Sequence, residues 1–257
     1  MERRTNTMSY EFIRHIDHQD NITEQDIADL RGGKVTLMIV DNADEHTMEK
    51  FGTLATQNQH TTEGRGFDVK GDKFFRVGSD DKKVPHVHLN ENMPWHHDRG
   101  YTDPFPYVGL FCVEWEEGAP PTRFADMRKA YNLAPEALKQ KADGVICVNS
   151  FHKYGTKAKY PVPFLSKAWE KVYARKAWKE HPLVMSDEYG KWFYFSESAT
   201  ECEFEDEMME ACFNDNNIYD HYYKPNQLVA YNNLTTCHRR MPSPDGIRRR
   251  HLRYAAT

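Results

Sequence analysis

Cysteine is sparse in this 257-residue sequence, and its five cysteines (Cys112, Cys147, Cys202, Cys212, Cys237) are scattered without CxxC spacing. That pattern argues against a zinc ribbon or a disulfide framework and suits a reducing compartment, so a cytoplasmic location is expected. No apolar run approaches the roughly 18 residues that a membrane helix requires. The longest useful stretch, Tyr107 to Trp115, already contains Glu114, so no membrane partner is expected. Met1-Glu-Arg-Arg-Thr-Asn-Thr has two arginines with no apolar stretch behind them, which predicts no secretory signal. Neither a repeat nor a Ser/Gly/Pro-rich linker divides the sequence, and a single domain over residues 1–257 is expected. Excess positive charge is also missing: the net charge is −5, which speaks against nucleic acid as a partner. What the chain does have is hydrophobic bulk, 39 % of its residues, with aromatics alone making up 13 %. At this length roughly three quarters of the unfolded surface can be buried, enough for a core without staples.

The pattern of apolar residues predicts short strands with helices between them. Thr23 followed by Glu24, Ile27 and Leu30 reads as a capped helix stopped at Gly32-Gly33. Val35 to Val40 reads as a buried strand, Asp44 to Phe51 as a short helix, and Gly64 to Val84 as loops or hairpins. Tyr107 to Glu114, Val145 to Val148, Leu228 to Tyr231 and Arg248 to Tyr254 are strand-like, and Leu183 to Phe195 is a hairpin turning at Gly190. Helical spacing is read in Phe124 to Tyr131, Pro135 to Ala142, Phe164 to Trp178 and Glu203 to Cys212. The Phe164–Trp178 helix suits either a substrate lid or packing on a sheet. The sum is a mainly β fold with flanking helices, a sandwich or jelly roll.

Of thirteen histidines most are isolated, but two groups stand out: His86-Val-His88 and Trp95-His96-His97-Asp98. On a strand, residues two apart share a face, so His96 and Asp98 are expected to point together and His97 away. A His-x-Asp pair with one distant histidine has the composition of the facial triad that holds non-haem Fe(II) and leaves positions open. His86 and His88 would also share a strand face, as half of a zinc or cupin-type site, although no third ligand has suitable spacing.

Further blocks accompany the pair: Gly118-Ala-Pro-Pro-Thr122-Arg-Phe-Ala-Asp, His181-Pro182, Leu228-Val-Ala-Tyr-Asn-Asn-Leu-Thr-Thr-Cys-His238, and Arg248-Arg-Arg-His-Leu-Arg253. In order and separation these resemble the taurine dioxygenase-like (TauD/TfdA) family of Fe(II)/2-oxoglutarate-dependent oxygenases, over nearly the whole chain. The resemblance implies a double-stranded β-helix (jelly roll, cupin-like) core. It implies Fe(II), 2-oxoglutarate as cosubstrate and O2, with metal ligation by His96, Asp98 and His238. Arg249 would ion-pair with the far carboxylate of 2-oxoglutarate and Thr122 would donate a hydrogen bond to it. Arg253, four residues beyond Arg249 on the same strand face, would contact substrate or cosubstrate, and Asn92 would be a substrate-side polar residue. Arg248 and Arg250 should face the surface. Three local departures from the family pattern are the prolines before Thr122, Asn232-Asn233 in place of Asp-Asn, and Pro225-Asn-Gln227 in the following turn, where Asn226 can adopt a left-handed backbone.

The expected function is therefore an oxygenase that hydroxylates an unactivated C–H bond of a small anionic or zwitterionic molecule, releasing succinate and CO2. Desaturation and cyclisation use the same reagents, and a homo-oligomer is compatible with the resemblance. Two readings of other classes compete. One is a metal-binding jelly roll without turnover, against which Arg249 and Thr122 count. The other is a zinc-dependent hydrolase or isomerase built on His86, His88 and His96, which would leave His238 and Arg249 without a task.

Overall fold

A computed structural model of the chain describes residues 9–48, 51, 75–78, 92–104, 106–150, 153 and 178–256, with only the backbone of 75–78 and 255–256. A six-stranded sheet runs in the order β1 (Glu11–Ile16), β2 (Val35–Val40), β13 (Gln227–Asn232), β5 (Tyr107–Trp115), β15 (Arg249–Ala256), β3 (Phe75–Gly78). Its pairings are antiparallel except β1 with β2. A four-stranded sheet has the order β12 (Ile218–His221), β6 (Thr122–Asp126), β14 (Thr236–Arg240), β4 (Met93–His96). The remaining strands are the hairpin β9 (Val184–Asp187)–β10 (Gly190–Phe193) and a small sheet in which β7 (Ile146–Ser150) lies between β11 (Thr200–Glu201) and β8 (Trp178–Pro182).

The alternation of side chains along the central strands explains the layering. Leu37, Ile39, Val108, Leu110, Cys112, Val229 and Tyr231 point from the large sheet towards Phe124 of the small one and form the inner core. Their neighbours Met38, Val40, Phe111, Leu228, Ala230 and Tyr254 point outward, under Ile27 and Leu30 of α1 (Glu24–Arg31). Because β2 is covered on both faces, all six of its residues are buried, which is why it reads as an unbroken apolar run. The outer face of the small sheet, with Trp95, Ala125 and Cys237, is covered by α2 (Met127–Leu133), α3 (Glu136–Ala142) and α4 (Glu205–Cys212). The fold is thus mainly β, a jelly-roll core with helices on both outer faces.

Several boundaries follow from local chemistry. Thr23 caps α1 through a reciprocal capping box with Asp26, and Gly33, at φ 81°, ends it in a conformation that glycine adopts without strain. Asn226 takes φ 62° in the turn before β13. The helix expected from Phe124 begins only at Met127. Phe124 and Ala125 instead belong to β6, hydrogen-bonded to β12 and β14 on either side. The Asp126 carboxylate, accepting from the amides of Arg128 and Lys129, then starts the helix. The lid or packing helix expected over Phe164–Trp178 lies outside the described residues except for Trp178, which is half-exposed in β8. Residues 45–48 and 51 are helical, as expected of that stretch.

Arg128 stitches the layers together. Its guanidinium is buried, pairs with Asp187 (Nη1 to Oδ1 2.8 Å), donates to the carbonyls of Gly190 at 3.0 Å and Gly33 at 3.5 Å, and lies over the Trp192 ring at 4.6 Å. A Cβ on Gly33 would meet this ion pair at 2.8–3.1 Å. Arg128→Ala leaves carbonyls and a part-buried carboxylate without their cation and should cost about 3 kcal/mol. Urea unfolding at neutral pH measures that loss.

Candidate metal centre and anion pocket

The site is assembled at the edge of the small sheet. β14 and β4 pair so that His238 lies directly opposite His96, with ring centroids 4.2 Å apart. Asp98 is not on the strand as its spacing suggested; β4 ends at His96, and Asp98 opens the following turn. That turn nevertheless brings the carboxylate to 3.8 Å from Nε2 of both His96 and His238. One ligand atom from each of His96, Asp98 and His238 lies within 4.8 Å of the others, and all three residues are buried.

Second contacts fix these groups. Nδ1 of His96 lies 2.8 Å from the Pro94 carbonyl, which assigns its proton there and leaves Nε2 as the lone-pair donor. Asn233 clamps the turn on both sides of the Asp98 Cα: its Oδ1 accepts from the Asp98 amide at 2.8 Å and its Nδ2 donates to the Asp98 carbonyl at 3.0 Å. The Tyr231 hydroxyl donates to Asp98 Oδ2 at 3.0 Å and lies 3.3 Å from His238 Nε2. Arg253 Nη2 is 2.9 Å from Asp98 Oδ1. Burial works against charge on Asp98, but the Arg253 guanidinium foremost, helped by the hydrogen bond from Tyr231, outweighs it and holds the carboxyl well below the ordinary carboxylate range. Both facing imidazoles are pushed down, first by burial, so they are neutral at pH 7 as ligands must be. His97 turns away as expected: its Nδ1 lies 2.7 Å from the Asn233 carbonyl, and its ring stacks on Tyr194 with centroids 4.4 Å apart.

A second cluster lines the same interior. Within β15, Arg249, His251 and Arg253 share the inner face, whereas Leu252 and Tyr254 pack into the outer layer. Arg249 is only 2 % exposed, and burial, then repulsion from Arg240, push its pKa down to about 9. Thr122, the first residue of β6, pairs with Arg240 and is buried. The Tyr223 phenol is influenced by both Thr122 and Arg249, and its ring packs edge-on to His251 at 4.4 Å. Two buried guanidinium groups that raise each other's cost of charge make a setting that favours an anion. Arg248 and Arg250 face outward, bridged to Glu114 and Glu116.

The structure thus gathers His96, Asp98, His238 and Arg253 in one cluster and Thr122 and Arg249 in another. Asn92 is exposed just ahead of β4, and His86 and His88 lie outside the described residues. Sequence reasoning missed Tyr231, Asn233, Tyr223 and Arg240. Tyr231 and Asn233 continue the buried run of β13 into its turn, a signal indistinguishable from packing, and nothing local marks Arg240.

The sequence matches the Taurine catabolism dioxygenase TauD, TfdA family over residues 20–255, and the chain belongs to that family. It is accordingly a dioxygenase dependent on Fe(II) and 2-oxoglutarate and consuming O2. No curated protein matches the sequence. Among solved structures it is similar to AAD-2, crystallised with Mn(II) and N-oxalylglycine, at 17 % identity and TM-score 0.77, covering 98 % of this chain and 97 % of the other. A candidate alpha-ketoglutarate-dependent 2,4-D dioxygenase from Burkholderia xenovorans is 20 % identical at TM-score 0.70, with coverages of 95 % and 93 %. A taurine dioxygenase from Burkholderia xenovorans is 14 % identical at TM-score 0.66, with coverages of 97 % and 88 %. At these identities the likeness speaks for the fold. Among the described residues no helix is long and apolar enough to cross a membrane.

Burial of neutral histidines has a consequence for pH. Burial depresses His97 and His221 to about 4, below the ordinary 6.5 that they regain on unfolding. The unfolded chain therefore binds more protons between those values, and the stability from these groups, complete above pH 6.5, is lost as pH falls towards 4. The urea midpoint should drop across that window, and His221→Phe should flatten part of the slope.

Proposed function

We propose that His96, Asp98 and His238 bind the iron, that Arg249 and Thr122 seat the distal carboxylate of 2-oxoglutarate, and that the whole chain works as one oxygenase domain. The observation that carries this reading is the convergence of two Nε2 atoms and a carboxylate within 4.8 Å in the same interior as two mutually repelling buried arginines. Two neutral imidazoles and one carboxylate suit Fe(II) and leave coordination positions open. When bound, the iron with 2-oxoglutarate and O2 supplies the oxidising power for attack on an unactivated C–H bond, with loss of succinate and CO2.

The chain's own residues supply placement and charge. The Pro94 carbonyl holds the His96 proton on Nδ1, and Asn233 holds the turn that aims Asp98. Tyr231 keeps a proton between Asp98 and His238. The planar guanidinium of Arg249 offers two parallel donors to a carboxylate that has left water, and the Thr122 hydroxyl offers a third. Hydroxylation is the reaction proposed, on a small anionic or zwitterionic molecule: Arg253 adds cationic charge beside Asp98, and Asn92 stands at the exposed start of β4 as a substrate-side group.

The test is anaerobic addition of Fe(II) and then 2-oxoglutarate to the purified chain. A weak visible charge-transfer band that needs both additions supports the reading, whereas its absence alongside tight Zn(II) binding favours the hydrolase or isomerase. His96→Ala and His238→Ala should abolish the band, and His97→Ala should spare it. Arg249→Ala should raise the 2-oxoglutarate concentration needed by about 100-fold, the loss of a buried charge-assisted pair. Asn233→Ala should weaken Mn(II) affinity about 10-fold or more, as expected when a group that orients a ligand is removed.

A further inference from the structure

Cys147 lies on β7 and Cys202 directly follows β11. The antiparallel register Thr200↔Asn149, Glu201↔Val148, carried one step further, sets Cys202 opposite Cys147. One step in the other direction, the Ser150 amide donates to the Ala199 carbonyl at 2.9 Å, which marks a hydrogen-bonded pair. Such pairs alternate along an antiparallel ladder, so 149/200 is non-hydrogen-bonded, 148/201 hydrogen-bonded, and 147/202 non-hydrogen-bonded. At non-hydrogen-bonded positions the Cα atoms approach to about 4.5 Å with side chains on one face, inside the span of about 4.4–6.8 Å that a disulfide bridges. Both side chains belong to the same packed cluster, and each thiol's proton affinity responds first to the other. Both cysteines are free thiols.

The two sulfurs are not equivalent. Cys147 is buried, whereas Cys202 is partly exposed and within reach of small solutes. The Cys202 thiol is pushed down from its ordinary value, first by the hydrogen bond from Cys147, with the Phe204 backbone and Lys153 contributing. Cys147 is pushed up, first by that same hydrogen bond. The Lys153 ammonium is fixed nearby by the Thr200 carbonyl and by Glu205 at 2.6 Å. An accessible thiol with thiolate character beside a protonated partner is the arrangement of an attacking and a resolving cysteine.

We propose that Cys147 and Cys202 are an oxidisable dithiol, a modification site that hydrogen peroxide converts to a cross-strand disulfide and thiol reductants restore. The Cys202 thiolate attacks one peroxide oxygen, an S–O bond forms as the O–O bond breaks, and hydroxide leaves and takes up a proton. The Cys147 sulfur then attacks the Cys202 sulfur, the S–O bond breaks, and the departing hydroxide takes the Cys147 proton as water. The two thiols are oxidised, one peroxide is reduced, and two waters form. The bridge fastens β7 to β11, and the segment leading into β11 is itself tied to β4: Ser198 donates to the Trp95 carbonyl at 3.1 Å, and Trp95 donates to Glu197 at 3.2 Å. The covalent tie therefore reaches the strand that ends in His96.

The test exposes the purified full-length chain, with a chelator to exclude metal-driven oxidation, to stoichiometric hydrogen peroxide, followed by differential alkylation and peptide mapping. The expected result is loss of two alkylatable thiols of the five, a Cys147–Cys202 linked peptide, and recovery with dithiothreitol. Oxidised protein should melt about 5–10 °C higher than reduced protein, since the bridge closes a long loop. In Cys147→Ala, Cys202 should stop at a dimedone-reactive sulfenic acid, and in Cys202→Ser no bridge should form. A bridge between Cys202 and Cys212, oxidation of Cys202 that is indifferent to Cys147→Ala, or five thiols surviving in the wild type would each overturn the proposal. None of these readouts involves iron or turnover, so they stand apart from the assignment of the triad.

Discussion

A buried carboxylate is expensive unless its surroundings are arranged for it, and Asp98 is the group around which this molecule's interior is organised. It receives charge from Arg253 on β15, a hydroxyl from Tyr231 on β13, and two imidazoles, one from the end of β4 and one from the middle of β14. Those strands come from both sheets, so the carboxylate is supported only when the sandwich is closed. Asn233 adds the remaining constraint by holding the backbone of the Asp98 turn at amide and carbonyl together. The jelly roll thus serves less as a container than as a means of delivering donors from distant parts of the chain to one point.

The flanking layers give that point its low dielectric. Phe124 and Tyr231 meet edge-on with centroids 5.3 Å apart, and Phe124 also lies 6.1 Å from His238. The outer helices shield the small sheet, and Arg128 joins the β9–β10 hairpin to the turn after α1. In such an interior each hydrogen bond to a ligand counts for more than it would in water, and each misplaced one costs more.

Much of this was legible in the sequence because its signals were local. β2 and β5 are runs of apolar residues, α1 announces its start with Thr23 and its end with Gly33, and the hairpin turns at Gly190. His96, Asp98 and His238 were recognisable through a family resemblance rather than through spacing alone. The strand argument put Asp98 beside His96 for a reason that does not hold, since the strand ends first and a turn does the aiming. Phe124 was misread because strand and helix patterns coincide over so few residues, and only pairing with β12 and β14 decides between them. Tyr231, Tyr223 and Arg240 were illegible because their roles exist only across the sandwich: their partners are far away in sequence, and nothing local separates a functional tyrosine from a packing one.

On β15 the three inward positions 249, 251 and 253 recur every second residue, so the strand works as a ruler whose end marks stand about 13 Å apart. β5 absorbs a local irregularity: Arg250 faces Glu114 while His251 faces Cys112, leaving Val113 over. With the irregularity on the partner strand, the marks on β15 stay evenly spaced. A change of side chain at one mark leaves the other where it was, whereas gain or loss of one residue between them would turn one of the two arginines to the outside. Such a strand can diverge in what it holds at 253 while keeping what it holds at 249, but its length is not free to drift.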